Sequence, residues 1–214
     1  MKKLLSYLFP FTRRVPSAVS GELEVTLYQG RKVLDSRTAN YSYGALQRVL
    51  RFGLQQIPLE GIHHVLLLGL GGGSVIQTLR EELHYKRAIT AVELDPVVIQ
   101  VAAEEFGIVS SPTLQIIQAD AFAWVEQARG AFGLIIVDIS IDSKIPEEVF
   151  SFAFWQALHR LLSPGGYILL NAIEAASHAT LIGALRPQAA QLGLDLHVHQ
   201  AVEKINQLLV ARKA

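Results

Sequence analysis

Val65-Leu66-Leu67-Leu68-Gly69-Leu70-Gly71-Gly72-Gly73-Ser74 runs four apolar residues into four glycines within five positions, and a helical pattern begins at Ser74. A continuously apolar strand is one buried on both faces, as in a parallel sheet covered by helices. Glycines at its carboxyl end let the backbone approach a ligand closely, beside exposed amides at a helix N-terminus. The loop does not name that ligand. The dinucleotide pattern G-x-G-x-x-G asks for glycine at 74, which is Ser74.

Outward from this loop, strands and helices alternate. The pattern predicts strands over 63–70, 88–94, 113–118, 132–139 and 167–172, and helices over 74–83, 96–106, 121–128 and 147–162. Ser163-Pro164-Gly165-Gly166 reads as a turn. A helix over 176–192 contains Pro187, which is expected to kink or split it. Strands over 195–202 and 205–212 have only Glu203-Lys204 between them, which makes them antiparallel neighbours. The expected fold is α/β: a methyltransferase-type Rossmann fold with a seven-stranded, mostly parallel sheet and an antiparallel C-terminal strand.

Residues 1–60 read as an N-terminal segment and residues 61–214 as the nucleotide-binding domain. In the first part, Glu22 to Tyr28 alternates, Gln29-Gly30 turns, and Arg31 to Thr38 returns as a short β-hairpin. Tyr43 to Phe52 reads as a helix. A lone hairpin is marginal in water and must pack on something, which points to a homodimer through this region. Met1 to Phe9 reads as a short amphipathic segment docked on the body or on a second subunit. A membrane-surface role with Arg13 and Arg14 near lipid is the alternative. Its apolar run is too short for a signal peptide, and no run reaches the length of a spanning helix, so a cytoplasmic protein is expected.

The chain has 214 residues, 19 Lys+Arg against 19 Asp+Glu, and no cysteine. That excludes disulfides, thiolate metal sites and a cysteine nucleophile. Zero net charge argues against a broadly basic nucleic-acid binder, and no basic-aromatic interleaving suggests base stacking. The charge is unevenly spread. Residues 91–150 hold ten acidic and two basic groups, so that window carries −8 and the remainder +8. An acidic mouth suits a cationic ligand such as a sulfonium or an amine. Glu104, Glu105 and Glu126 read instead as helix-surface carboxylates. His63, His64, His197 and His199 have no ligand partners at suitable spacing, and no metal site is expected.

Glu93 ends the second strand of the nucleotide domain, 20 residues after Gly73. A carboxylate there can accept hydrogen bonds from both ribose hydroxyls. Asp120 follows the third strand, where it can accept from an adenine amine. Together with the turn before the fifth strand and the closing antiparallel pair, this order of parts belongs to methyltransferase-type folds rather than to NAD-binding ones. The segments 69–79, 91–96, 118–121, 135–142 and 161–170 together resemble the spermidine synthase-like branch of the class I S-adenosylmethionine-dependent methyltransferases. The resemblance covers roughly residues 22–212. It implies S-adenosylmethionine, or its decarboxylated form, as cofactor. Gly69, Gly71, Gly72, Gly73, Glu93, Leu94, Asp120, Ala121 and Asp138 would hold it. It further implies that Asp138, which ends the fourth strand, positions and deprotonates an attacking amine, with Asp142 and Tyr43 beside it. An ammonium is no nucleophile until its proton leaves.

The departures from the family matter as much. Aminopropyl-transferring members carry an aspartate in the glycine loop, where this chain has Gly72. Their paired aspartates lie three apart, whereas Asp138 and Asp142 lie four apart and no proline follows. Of their upstream acidic-tyrosine motif, Tyr43 alone survives. The expected activity is therefore methyl transfer to a small, cationic or amine-bearing (or hydroxyl) acceptor. Polyamine aminopropyl transfer and a non-catalytic nucleoside-binding protein are the alternatives.

Overall fold

The computed structural model describes residues 2–36, 40–42, 45–140, 145–173, 176–202 and 206–214. Two sheets organise the chain. The smaller is a four-stranded antiparallel meander of β1 (Phe11–Ser17), β2 (Gly21–Tyr28), β3 (Arg31–Ser36) and β4 (Asn40–Ser42). The expected hairpin is its β2–β3 centre. The larger sheet has seven strands: β5 (His64–Leu68), β6 (Ala88–Glu93), β7 (Leu114–Gln118), β8 (Phe132–Val137), β9 (Leu162–Ile173), β10 (Leu194–Val202) and β11 (Asn206–Lys213). Its order is β10-β11-β9-β8-β5-β6-β7. Strands β9, β8, β5, β6 and β7 run parallel, and β11 is antiparallel to both of its neighbours.

Leu66, Leu67 and Leu68 are wholly buried, and successive residues feed opposite layers. Leu66 and Leu68 join one core with Val137, Ile168 and Leu170. That core is covered by α5 (Ala121–Gln127), α6 (Phe152–Leu161) and α7 (Ala176–Gln191). Leu67 joins the other with Ala91, Ile136 and Leu169. It is covered by α2 (Ala45–Leu54), α3 (Ser74–Gln77) and α4 (Pro96–Phe106). The outer side of α4 carries Val98 and Val101 into a third cluster with Leu23, Val25 and Leu34, which seats the small sheet on this helix. Asp95 caps α4 through Val97 N (2.8 Å), Pro96 opens it, and Gly107 ends it at φ +71°. No described helix is long and apolar enough to cross a membrane.

Local details depart from expectation for physical reasons. The helix expected over 147–162 breaks at Ser151, which turns extended and caps α6 by accepting from Phe154 N at 3.2 Å. The helix from Ser74 opens into a wider π-type turn over 78–82, fastened where Arg80 donates to the carbonyls of Arg87 (2.8 Å) and Thr113 (2.9 Å). Pro187 lies inside an unbroken α7. The Ser163–Gly166 turn is a bulge within β9: Leu162 pairs with Phe132, and pairing resumes at Tyr167 with Leu134. The N-terminal turn α1 (Lys2–Leu5) docks on the β2–β3 turn, where Gln29 N donates to Ser6 O at 2.8 Å and Gly30 N to Ser6 Oγ at 2.9 Å.

Candidate active site

The carboxyl ends of the parallel strands carry one transverse rank of residues. Leu68 pairs with Val92 on one side and with Val137 on the other, and Val137 pairs with Leu170. One step onward, Glu93, Gly69, Asp138 and Asn171 therefore stand side by side. The ladder continues through this rank, with Gly69 N to Val92 O and Asp138 N to Leu68 O, both 2.9 Å. All four share the face lined by Ala91, Leu67, Ile136 and Leu169. Gly69 sits at φ +93°, and a Cβ there would collide with the carbonyl oxygen of Asp138. The rank thus has two carboxylates about 10 Å apart at the backbone with no side chain between them.

Glu93 is tied to the glycine loop. Its Oε2 accepts from Leu70 N (2.9 Å) and Gly71 N (3.3 Å), and its Oε1 accepts from Asp95 N (3.0 Å). Burial pushes this carboxyl above its ordinary range, against the pull of those amides. Gly71 and Gly73 adopt φ +51° and +81°, and a Cβ on Gly73 would strike the Ile108 side chain. Gly72 is buried between them. The loop reaches α3 through these left-handed positions, which only glycine adopts without strain.

Asp138 is pushed up to about 6 by burial; Glu93 adds to the rise and a hydrogen bond from Asn171 opposes it. Asn171 Nδ2 donates to Asp138 Oδ1 at 3.0 Å. Asn171 is only 6% exposed, and in the sequence it is one polar residue inside an otherwise apolar strand. The available signal was one amide in Leu169-Leu170-Asn171-Ala172, in register with Asp138.

The remaining expected residues separate. Asp120 is exposed and caps α5 by accepting from Ala123 N at 2.8 Å, with Ala121 opening the helix beside it. Leu94 is 41% exposed just beyond Glu93. Tyr43 and Asp142 lie outside the described residues. Glu104 and Glu105 sit on the far side of α4, where Arg13 of β1 reaches Glu105 at 2.8 Å and Lys32 of β3 reaches it at 2.8 Å. Among the described residues, no three His, Cys, Asp or Glu side chains group as metal ligands.

Comparison with known proteins bears on this geometry. The spermine/spermidine synthase domain matches residues 51–202. Polyamine aminopropyltransferase 1 of Streptomyces coelicolor is 30% identical over 166 residues, covering 72% of this chain and 29% of its own length. Putrescine N-methyltransferase 4 of Nicotiana tabacum is 28% identical over 187 residues, covering 77% of this chain and 48% of its own. The chain thus spans less than half the length of either. Among solved structures, human methyltransferase-like protein 13 in complex with SAH superposes with a TM-score of 0.62 at 23% identity. That match covers 79% of each chain and shows the shared fold.

Proposed function

The chain belongs to the spermine/spermidine synthase family, and from that membership we propose that it transfers an alkyl group from a nucleoside sulfonium to an amine. The rank Glu93–Gly69–Asp138 carries the proposal. Gly69 keeps the step between the two carboxylates free of any side chain, because a Cβ there would collide with the Asp138 carbonyl oxygen, and both carboxylates suit a cation. The bound sulfonium supplies an activated carbon, whose bond to sulfur breaks as the nitrogen–carbon bond forms. The protein's part is alignment and removal of one proton.

Glu93 holds the ribose hydroxyls. A carboxylate offers about four acceptor positions, and three are occupied by amides. A ribose diol therefore takes the free position and displaces or shares the long bond from Gly71. Leu94 gives an apolar surface to the base, and the free oxygen of Asp120 an acceptor to its edge. Asp138 takes the proton of the amine. Its raised affinity for protons matches that task near neutral pH.

The names of the aminopropyltransferase relatives support an aminopropyl group as the cargo, which is the first reading. A second is favoured by a specific observation. Gly72 leaves the loop without a side-chain carboxylate for a free amine on the cofactor, and a putrescine N-methyltransferase is also a relative. That reading is methyl transfer to the same class of acceptor. Titration calorimetry with S-adenosylmethionine, its decarboxylated form and methylthioadenosine tests both. Preference for the decarboxylated form supports the first reading, preference for S-adenosylmethionine the second, and binding of none of the three overturns the proposal.

A further inference from the structure

We infer that Asn171 is a specificity-determining residue: its Oδ1 accepts an N–H that the acceptor keeps after giving one proton to Asp138, so the site selects amines over alcohols. The inference rests on the transfer reading above and deepens it. Asn171 Nδ2 is committed to Asp138 Oδ1. Its Oδ1, with less than 1 Å² of exposed surface, has no hydrogen-bond partner among the described residues. Buried polar groups are nearly always paired, so an orphan acceptor calls for an explanation. The contact with Asp138 fixes the orientation of the amide, because the reverse would set two acceptors against each other. Oδ1 and Nδ2 share a carbon and lie about 2.3 Å apart, so the orphan acceptor sits within roughly 5 Å of Asp138 Oδ1.

That spacing lets one nitrogen face both groups. A primary ammonium has three N–H bonds. One proton passes to the free oxygen of Asp138, the released lone pair forms the new bond to carbon, and two N–H bonds remain. One of these satisfies Asn171 Oδ1. A secondary amine still has one left. An alcohol gives its only proton to Asp138 and leaves Asn171 unpaired, and a site built to bond a group discriminates strongly against an analogue lacking it. Among the described residues, Asp138 and Glu93, on either side of Gly69, are the titratable groups that face this nitrogen.

The test uses the whole chain, with methylthioadenosine as the nucleoside probe for binding and, for turnover, 1,4-diaminobutane as acceptor and whichever of S-adenosylmethionine or its decarboxylated form the wild type binds as sulfonium donor. Asn171→Leu should leave methylthioadenosine affinity within twofold of wild type. It should lower kcat/KM for the diamine about 10- to 100-fold at every pH. Asn171→Asp keeps an acceptor oxygen but places a second carboxylate beside Asp138. Its kcat/KM profile should shift to higher pH and recover there, which a purely structural role would not produce. Diamine turnover by Asn171→Leu within twofold of wild type overturns the inference and leaves the functional reading standing. So does the absence of a pH shift in Asn171→Asp if the leucine variant does not fold. A wild-type protein that binds methylthioadenosine but turns over no amine overturns it as well. Failure of wild type to bind the nucleoside overturns both.

Discussion

Asp138 works against the stability of the fold it belongs to. In an unfolded chain it titrates near 3.8, and in the folded chain it is raised to about 6, chiefly by burial. The folded state therefore binds the extra proton between those values. Stability falls as pH rises from about 4 to 6 and stays lower above. Asp138→Asn should relieve this, because an amide can bond Asn171 with both of its polar atoms. The expected gain is on the order of 2 kcal/mol at pH 7.5, vanishing below about pH 4, read from urea midpoints. The same variant should lose turnover. In wild type, kcat/KM should decline as pH drops through about 6, since only the carboxylate accepts the proton. The sequence exposed Asp138 through its place at a strand end. It hid Asn171, because one polar residue in an apolar run acquires meaning only when register sets it beside a neighbour from 33 positions earlier.

At the level of elements, α4 and β1 are joined at one carboxylate. Asp95 is 1% exposed and accepts from Val97 N and from Ser17 Oγ, the latter at 2.5 Å. Burial alone would raise it, but hydrogen bonds from Ser17, Ser20 and the amides of Val97 and Val98 outweigh burial and hold it low. Its contribution is thus present above its unfolded value near 3.8 and lost as pH falls through the folded one. Asp95→Ala should destabilise the chain by about 2 kcal/mol in a denaturant titration at pH 7. Ser17→Ala should act more locally, speeding amide exchange in β1 and β2 while the large sheet is unchanged. The α/β alternation was legible because each element keeps its own hydrophobic period. Strand β1 was not. The sequence pattern placed no element over its residues, and Pro16 and the Arg13-Arg14 pair are tolerated because β1 pairs with β2 and lies at a sheet edge.

Across the whole molecule, the split of charge has two origins. Glu93 and Asp138 stand in the rank at the carboxyl ends of the parallel strands, whereas Glu104 and Glu105 serve as the seat for cations from the small sheet. Lys32 and Arg13 hold Glu105 below its usual range. Exposed apolar side chains are also unevenly spread. Leu4, Tyr7, Leu8 and Phe9 are 61–77% exposed, and Phe11 and Tyr28 lie nearby at 38% and 47%. A patch of this kind marks a contact surface. The homodimer expected from the N-terminal region should bury it. Light scattering should then give twice the chain mass, and the pair Leu8→Ser with Phe9→Ser should return the monomer. A monomeric wild type at micromolar concentration would contradict this.

Strand β11 lies between β9 and β10, so β10 reaches the sheet only through it. Leu208 of β11 pairs with Asn171. During synthesis, then, β10 leaves the ribosome with no partner and must wait for the residues that follow it. The β9 edge that carries Asn171 is therefore covered only after β11 has emerged.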